Sequence, residues 1–221
     1  MDPERLRQIL TRFRKGELGT EQVLEALRHL PYEDLGDAKI DHHRRLRRGA
    51  PEIIYGQGKT PEQIVRIAGK MIEAGGPVLA TRLSAEALDE IERQIPRALI
   101  QRQARMAVMG RRVRRRKSRI VVCCAGTTDL PVAEEAATTL EALGHEVTRL
   151  TDVGVAGLHR LLGTRSELAN ASVVIDVAGM EGALPSVVAG MVACPVIGVP
   201  SRVGYGAAFG GITALLAMLN S

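Results

Sequence analysis

The chain has 221 residues, of which 45% are hydrophobic, 2% aromatic and none Trp, so its core must be built from aliphatic side chains. Such residues suit parallel strands that are covered on both faces by helices. Three cysteines, two of them adjacent, argue against a disulfide framework and for a reducing compartment. The charged start Asp2–Arg7 argues against a signal peptide, so we expect a cytoplasmic protein.

Charge divides the chain near residue 119. Residues 1–119 carry a net charge of +10 and residues 120–221 a net charge of −5, which predicts a domain boundary between them. Two uncharged stretches, Gly182–Ser201 and Val203–Ser221, approach the ~20 residues of a membrane span. Prolines interrupt the first stretch and glycines open the second, so buried helices and strands explain the apolarity better. No membrane association is therefore expected.

In chain order, the first predicted elements are two amphipathic helices, Arg5–Phe13 and Glu21–Leu30, the second of which ends at Pro31. They predict a small helical hairpin over residues 1–40. Residues 41–118 follow as a small basic α+β domain that ends in an arginine-rich linker. Its predicted elements are a strand at Ile53–Tyr55, a helix capped by Thr60, a strand at Val78–Arg82, a helix over Ser84–Ile95 and a strand region over Leu99–Val108.

From Arg119 onward, buried strands alternate with helices. This alternation predicts parallel pairing with right-handed crossovers, and hence an α/β domain over residues 119–221. The predicted strands are Ile120–Cys124, Glu146–Leu150, Ser172–Val177 and Pro195–Val199, and the predicted helices are Leu130–Leu143, Ala156–Leu162, Glu181–Val192 and Ile212–Leu219.

Glycines and polar residues follow each of these strands, at the edge where doubly wound sheets bind ligands. In the first turn, Gly126, Thr127 and Thr128 offer backbone and hydroxyl groups that suit a phosphate or carboxylate. Asp129 suits a ribose hydroxyl, a metal or a proton transfer better than a phosphate. Thr and Asp are equally common as plain helix caps, so both interpretations remain open.

The second and third turns place acids among glycines. His159 can transfer protons near neutral pH and Arg160 can pair with an anion, although a surface histidine on a short helix is the commoner explanation of such a pattern. Glu181 stands at a predicted helix start, where a carboxylate also complements the helix dipole. The residues concerned are Asp152, Gly154, His159 and Arg160 in the second turn and Gly179, Met180, Glu181 and Gly182 in the third.

The fourth turn contains Arg202, the one charged residue between Gly182 and Ser221, which argues for a specific role. Gly204, Tyr205 and Gly206 follow it. The pattern Gly-x-Gly-x-x-Gly is not completed, because Phe209 stands where the last glycine belongs, so no dinucleotide fingerprint is assigned.

Other patterns carry less weight. The arginine run at residues 111–119 suits nucleic acid but lacks interleaved aromatic residues, so a solvated linker is the preferred interpretation and nucleic acid is not an expected partner. His42 and His43 lack partners at metal-ligand spacing. Cys123 and Cys124 lie in a predicted core strand, which indicates packing.

Taken together, these turns resemble the phosphoribosylaminoimidazole carboxylases, and within that superfamily the LarB proteins of nickel-pincer nucleotide cofactor biosynthesis. The resemblance implies a PurE-like fold, with a three-layer, flavodoxin-like parallel sheet in the C-terminal α/β domain and a small α+β domain before it. The segments that carry it are Asp129–Ala136, Asp152–Arg160, Ala178–Leu184 and Val203–Ala207, with further likeness at Asp41–Arg44 and Pro51–Gly58.

The resemblance implies carboxylation of the pyridinium ring of nicotinic acid adenine dinucleotide, with CO2 or bicarbonate as co-substrate, and cleavage of its phosphoanhydride to release AMP. The product is pyridinium-3,5-biscarboxylic acid mononucleotide. The ring is electron-poor, so a nucleophile such as a thiolate must first add to it. In the family a cysteine directly follows the segment Leu219–Ser221, so we expect this chain to be truncated before its nucleophile and to bind ligand without completing carboxylation.

The roles implied by the resemblance are assigned as follows. Glu181, His159, Asp152 and Asp129 are the expected catalytic residues. The superfamily implies a homo-oligomer, an octamer, and a Mg2+ requirement is left open. A purine-pathway aminoimidazole ribonucleotide carboxylase or mutase, and a nucleotide- or RNA-binding module, remain as alternatives. The expected substrate-binding residues are Gly126, Thr127, Thr128, Asp129, Gly154, Arg160, Gly179, Met180, Gly182, Arg202, Gly204, Tyr205 and Gly206, together with Arg44, Arg47, Arg48 and Lys59 of the basic N-terminal region.

Overall fold

The computed structural model describes residues 3–27 and 32–221. The chain divides into two compact units, Met1–Val113 and Arg114–Ser221, each of which has its own core. The predicted end of the second helix at Pro31 lies outside the described residues. Within those described ranges, no helix is both long and apolar enough to cross a membrane.

The first unit combines short helices with a four-stranded mixed sheet. Its sheet has the order β3-β4-β6-β5, in which β3 and β4 are parallel and the other pairs antiparallel. The elements are α1 (Pro3–Arg14), α2 (Thr20–Leu27), β1 (Glu33–Asp34), β2 (Lys39–Ile40), α3 (Arg44–Arg48), β3 (Ile53–Tyr55), α4 (Pro61–Ala74), β4 (Pro77–Thr81), α5 (Ala85–Gln94), β5 (Leu99–Gln101) and β6 (Met106–Gly110).

Local sequence signals explain how the helices of this sheet begin. The Thr60 side chain accepts a hydrogen bond from the Gln63 backbone N–H at 3.3 Å, and Gln63 Oε1 accepts one from the Thr60 N–H at 3.1 Å, so the predicted capping box of α4 is confirmed. The predicted strand region Leu99–Val108 is instead a hairpin of β5 and β6. The chain reverses between them, with Arg105 in the left-handed region at φ 52°.

The second unit is a four-stranded parallel sheet with helices on both faces. Its elements are β7 (Arg119–Cys124), α6 (Leu130–Ala142), β8 (Glu146–Leu150), α7 (Leu158–Leu162), α8 (Arg165–Ala169), β9 (Val173–Ala178), α9 (Leu184–Ala189), β10 (Val196–Pro200) and α10 (Ile212–Leu219). Short 3-10 turns precede α6, α7 and α10.

Two apolar clusters make this unit three layers thick. On one face, Ala133 and Ala137 of α6 pack against Val122 and Cys124 of β7. The opposite face packs against α7, α8 and α9; its buried side chains include Val121, Cys123, Leu161, Leu168, Val174, Leu184 and Val188. The predicted α/β class and the flavodoxin-like layering are therefore confirmed.

The direction in which successive strands are added to the sheet reverses at β7, in the middle of the sheet. The order is β10-β9-β7-β8, so the chain leaves β7 toward β8 on one side and later returns to β9 on the other. Crevices of this kind, outside the carboxyl ends of the strands, are where such sheets bind ligands.

The predicted helix Glu181–Val192 is wrong at both ends, since α9 spans only Leu184–Ala189. Met180 and Gly182 have positive φ values of 49° and 69°, which a right-handed helix does not accommodate. Glu181 therefore lies in a turn before the helix rather than at its first residue.

Candidate active site

The four turns after β8, β7, β9 and β10 form one continuous edge, which we call the rim: residues 151–157, 125–129, 179–183 and 201–211. The Gly154 N–H donates to the Ala125 carbonyl at 2.9 Å, which joins the first two turns. The Met180 N–H donates to the Val203 carbonyl at 2.7 Å, which joins the last two. The β7 and β10 turns are joined by side chains, because the Ser201 hydroxyl donates to Asp129 Oδ1 at 2.6 Å. The candidate residues of these four turns thus lie on a single connected surface.

Two glycines of the rim are required by this close approach. A Cβ at Gly154 would lie 2.7 Å from the Ala125 carbonyl oxygen, and one at Gly179 would lie 2.2 Å from the Val203 carbonyl oxygen. Both distances are shorter than any real contact of a Cβ atom, so these positions join neighbouring turns only as glycine.

The β7 turn separates its hydroxyls from its acid. Thr127 and Thr128 are exposed, whereas Asp129 is only 3% exposed. Asp129 Oδ2 accepts a hydrogen bond from the Gly126 N–H at 3.0 Å, and its Oδ1 accepts the Ser201 hydroxyl. The two threonines therefore face solvent where an anion could reach them, while the carboxylate is committed to internal contacts.

The β8 turn holds an ion pair. Arg160 Nη1 of α7 pairs with Asp152 Oδ2, and Asp152 adopts the left-handed region at φ 57°. A Cβ at Gly157 would lie 2.5 Å from Arg160 Nε, so the guanidinium crosses directly over this glycine. His159 is exposed on α7. The Arg160 charge is thus already partly neutralised by Asp152, while the imidazole is open to solvent.

The β9 and β10 turns present the remaining predicted groups. Met180 and Glu181 are exposed on the β9 turn, and Arg202 is exposed on the β10 turn. Because Met180 is bonded to Val203, Glu181 and Arg202 lie one residue away on adjoining turns. Gly204 and Gly206 are exposed beside Tyr205, whose side chain is 83% exposed. The Glu181 carboxylate and the Arg202 guanidinium therefore belong to adjoining turns on this side of the rim.

Cys123 and Cys124 are both buried in β7. Burial is the main cause that raises the pKa of each thiol above its ordinary value. Both thiols therefore stay protonated at neutral pH, and neither can supply a thiolate nucleophile.

Asp176 of β9 was not anticipated as a notable residue. It is fully buried, at 0% exposure, and neither carboxylate oxygen has a hydrogen-bond partner among the described residues. Its neighbours in register are Cys123 of β7 and Gly198 of β10. Burial, with a smaller contribution from the negative charge of Asp129, raises the pKa of Asp176 to about 8. A single acid within the apolar strand Val173–Ala178 was the signal that could have revealed it.

The described residues, with their gap at 28–31, contain no group of three His, Cys, Asp or Glu side chains that could hold a metal ion. On the rim, both Asp129 oxygens accept internal hydrogen bonds and Asp152 pairs with Arg160. These carboxylates do not fit a Mg2+ cage made by the protein alone, so no step is assigned to a metal.

In the first unit, the Asp41-His42 segment is internally paired. Arg47 Nη2 contacts Asp41 Oδ2 at 2.5 Å, which is the main cause that lowers the pKa of Asp41. The Asp41 N–H donates to Glu52 Oε2 at 2.7 Å, and His42 Nε2 lies 3.0 Å from Glu33 Oε2. These contacts fix the segment locally. The remaining cations predicted here to bind substrate, Arg44, Arg48 and Lys59, are exposed within this unit.

A flavodoxin-like parallel sheet whose rim gathers hydroxyls, acids and an arginine is typical of the doubly wound α/β proteins, which bind ligands at the carboxyl ends of their strands. Comparison with known proteins narrows this class. Residues 119–221 match the family model described as AIR carboxylase, and residues 32–112 match the one described as LarB/PurE-like N-terminal domain. The chain belongs to the LarB/PurE-like family, whose members are carboxylases and mutases.

One relative supports this membership over nearly the whole chain. An uncharacterised protein of Methanocaldococcus jannaschii, MJ0165, is 37% identical over 228 residues, which cover 98% of this chain and 87% of the relative. The similarity spans both units, so they occur together in the relative as well. The relative is described as uncharacterised, so the similarity supports the family and not a particular activity.

Proposed function

We propose that this protein carboxylates the pyridinium ring of nicotinic acid adenine dinucleotide with CO2 and cleaves its phosphoanhydride to release AMP. The product would be pyridinium-3,5-biscarboxylic acid mononucleotide, a precursor of the nickel-pincer nucleotide. The observation that carries the proposal is the presence, in one chain, of the LarB/PurE-like N-terminal unit and a carboxylase-type sheet with a continuous rim.

In this proposal the rim binds the anionic parts of the substrate. Thr127, Thr128 and the Gly126 backbone hold a phosphate or the ring carboxylate, and Arg202 neutralises a second anion. Asp152, which pairs with Arg160, is assigned to orient a ribose hydroxyl. Asp129 accepts hydrogen bonds from the Gly126 N–H and the Ser201 hydroxyl, so its role in this proposal is to hold the β7 turn in place. The exposed cations of the first unit add attraction for an anionic dinucleotide.

The chemistry requires a nucleophile and a base. A thiolate adds to the electron-poor ring and gives an enamine-like dihydropyridine, whose ring carbon attacks CO2. A base then removes the ring proton, and the thiolate leaves as aromaticity returns. Cys123 and Cys124 are buried thiols of raised pKa, so neither is assigned as this thiolate.

We assign the base to Glu181, with His159 as the alternative. Glu181 adjoins Arg202 across the Met180–Val203 hydrogen bond, so it lies beside the residue proposed to hold substrate. Glu181→Gln should lower kcat by about 100-fold or more, the usual contribution of a general base. His159→Asn should change it far less. Glu146→Gln is the matched control, since Glu146 begins β8 at the opposite edge of the sheet.

The direct test uses the full-length protein with nicotinic acid adenine dinucleotide and isotopically labelled bicarbonate. Mass spectrometry should detect the labelled dicarboxylated mononucleotide and AMP in equal amounts, and intact-mass analysis should detect a covalent pyridine adduct. Neither product nor adduct appearing would refute the proposal.

A second candidate function is favoured by the AIR carboxylase match of residues 119–221. Aminoimidazole ribonucleotide has an already nucleophilic ring, so a purine-pathway carboxylase or mutase would need no thiol. The same assay with this ribonucleotide separates the two functions, because only one of the two substrates should turn over.

A further inference from the structure

Ser201, the first residue after β10, stands at a junction of three turns of the rim. It is 4% exposed, so its hydroxyl is shielded from water. Its backbone N–H donates to the Ala178 carbonyl at the end of β9, at 2.9 Å. Its hydroxyl donates to Asp129 Oδ1 at 2.6 Å and accepts from the Val203 N–H at 3.2 Å. Ser201 therefore connects the ends of β7 and β10 through its side chain and the end of β9 through its backbone.

The contacts of Asp129 extend this junction into a chain of hydrogen bonds. The Val203 N–H donates to Ser201, Ser201 donates to Asp129, and the other Asp129 oxygen accepts the Gly126 N–H at 3.0 Å. All three bonds involve groups on the rim, and the central two side chains are almost fully buried. A hydrogen bond to a carboxylate in such surroundings is stronger than one between neutral groups in water.

These hydrogen bonds lie on both sides of the two groups that the proposed function uses to bind anions. Thr127 and Thr128 lie between Gly126 and Asp129, while Arg202 lies between Ser201 and Val203. In each turn, a hydrogen bond fixes the backbone on both sides of the exposed residues. The Ser201–Asp129 hydrogen bond then fixes the two turns relative to each other.

Gly179 packs closely against this junction. A Cβ at Gly179 would lie 2.2 Å from the Val203 carbonyl oxygen and 2.7 Å from Ser201 Oγ, so the β9 turn approaches both atoms only because residue 179 has no side chain. The Ser201 hydroxyl is therefore enclosed by the β9 turn as well as hydrogen-bonded to the β7 turn.

We propose that Ser201 is a positioning residue for nucleotide binding: its hydroxyl, through Asp129, holds Arg202 in a fixed position relative to Thr127 and Thr128, so that two anionic groups of one nucleotide are bound together. This inference rests on the proposed function in that it uses the same rim, but it applies to any phosphorylated ligand bound there. Ser201 itself contacts no ligand, and acts only through Arg202 and the β7 turn.

The test compares Ser201→Thr with Ser201→Val, two variants of nearly the same shape that differ in the hydroxyl. Calorimetry measures the Kd of the full-length protein for nicotinic acid adenine dinucleotide and, separately, for aminoimidazole ribonucleotide. We expect Ser201→Thr to bind within about threefold of the wild type and Ser201→Val to bind about tenfold more weakly, since tenfold corresponds to the loss of one well-made hydrogen bond. Ser201→Ala is a second hydroxyl-free variant in case valine is too large.

Both measurements are repeated with Arg202→Ala added. A positioning role predicts that the Thr–Val difference disappears in this background, because the group being positioned is gone. A purely structural role predicts that the difference persists, together with a matching change in Tm. Ser166→Ala, an exposed serine of α8, is the control for serine removal.

The outcomes separate the two proposals. If the wild type binds either nucleotide but the affinities of Ser201→Thr and Ser201→Val differ by less than twofold, the role of Ser201 is overturned. The same holds if the difference persists after Arg202→Ala is added. Both results leave the proposed function standing. Binding of only aminoimidazole ribonucleotide, with the expected difference, overturns the proposed function and supports the role of Ser201. Failure of the wild type to bind either nucleotide overturns both.

Discussion

Replacing Asp176 with asparagine should remove a loss of stability that the second unit suffers as pH rises from about 4 to about 8. Asp176 is fully buried without a hydrogen-bond partner among the described residues, and its pKa is raised from 3.8 to about 8. In this window the folded protein keeps a proton on Asp176 that the unfolded chain has released. Stability therefore falls as pH rises, and the fall ends near pH 8, where the folded state also ionises.

The magnitude follows from the number of protons involved. One extra proton bound by the folded state changes the free energy of unfolding by about 1.4 kcal/mol for each pH unit. Between pH 5 and pH 7, the wild type should lose roughly 3 kcal/mol that Asp176→Asn does not lose. The absolute stability of the variant is not the readout, because an unpaired amide carries its own desolvation cost.

Urea unfolding followed by circular dichroism at pH 5, 6, 7 and 8 measures this difference, and the chain contains no Trp that would serve instead. The first unit is the same in both proteins, so its contribution cancels. Glu146→Gln, which removes an exposed carboxylate from the same unit, should leave the slope unchanged. Parallel curves for the wild type and Asp176→Asn would show that Asp176 is ionised in the folded protein and refute the reasoning.

Three further predictions concern other contacts of the second unit. Arg149→Met should destabilise this unit by about 2 kcal/mol in urea unfolding. The reason is that Glu134 and Glu141 of α6 both lose their ion pair, and Glu134 is nearly buried. An unchanged urea midpoint would contradict this. Gly179→Ala should lower the free energy of unfolding by about 2 kcal/mol or more and weaken nucleotide binding. Gly190→Ala is the control, because its Cβ would meet other atoms only at 3.5 Å or beyond. It should change the free energy of unfolding by less than about 0.5 kcal/mol. Iodoacetamide at neutral pH should label the half-buried Cys194 before Cys123, which should react only on unfolding, as peptide mapping would show.

Most of the second unit's fold could be predicted from the sequence, because its strands are continuous apolar runs separated by glycine-containing turns. The strand predicted at Ile120–Cys124 and the helix at Leu130–Leu143 agree with β7 and α6 to within one residue at each end. Local pattern was sufficient here because each element buries its own apolar residues. The strand order was not predicted, because the right-handed crossover rule fixes the hand of each connection but not which side of β7 the next strand joins.

The contacts that shape the rim could not be predicted in this way. Asp129 and Ser201 are 72 residues apart, and nothing in either local segment identifies the other as its partner. Thr127 and Asp129 were grouped as ligand-binding residues, yet the backbone turns one toward solvent and the other into the interior. The helix start at Glu181 was misplaced because Met180 adopts the left-handed conformation, which residues other than glycine rarely adopt and which no local pattern indicates.

The sequence separation of Asp129 and Ser201 also has a consequence for how the protein is made. During synthesis β7 and α6 leave the ribosome early, but the hydroxyl that completes their turn belongs to a strand translated much later. A partly synthesised chain therefore contains β7, β8 and β9 before the residue that completes the rim has been added. Because such distant contacts form slowly, the edge should be among the last parts of this unit to gain protection against hydrogen exchange during refolding.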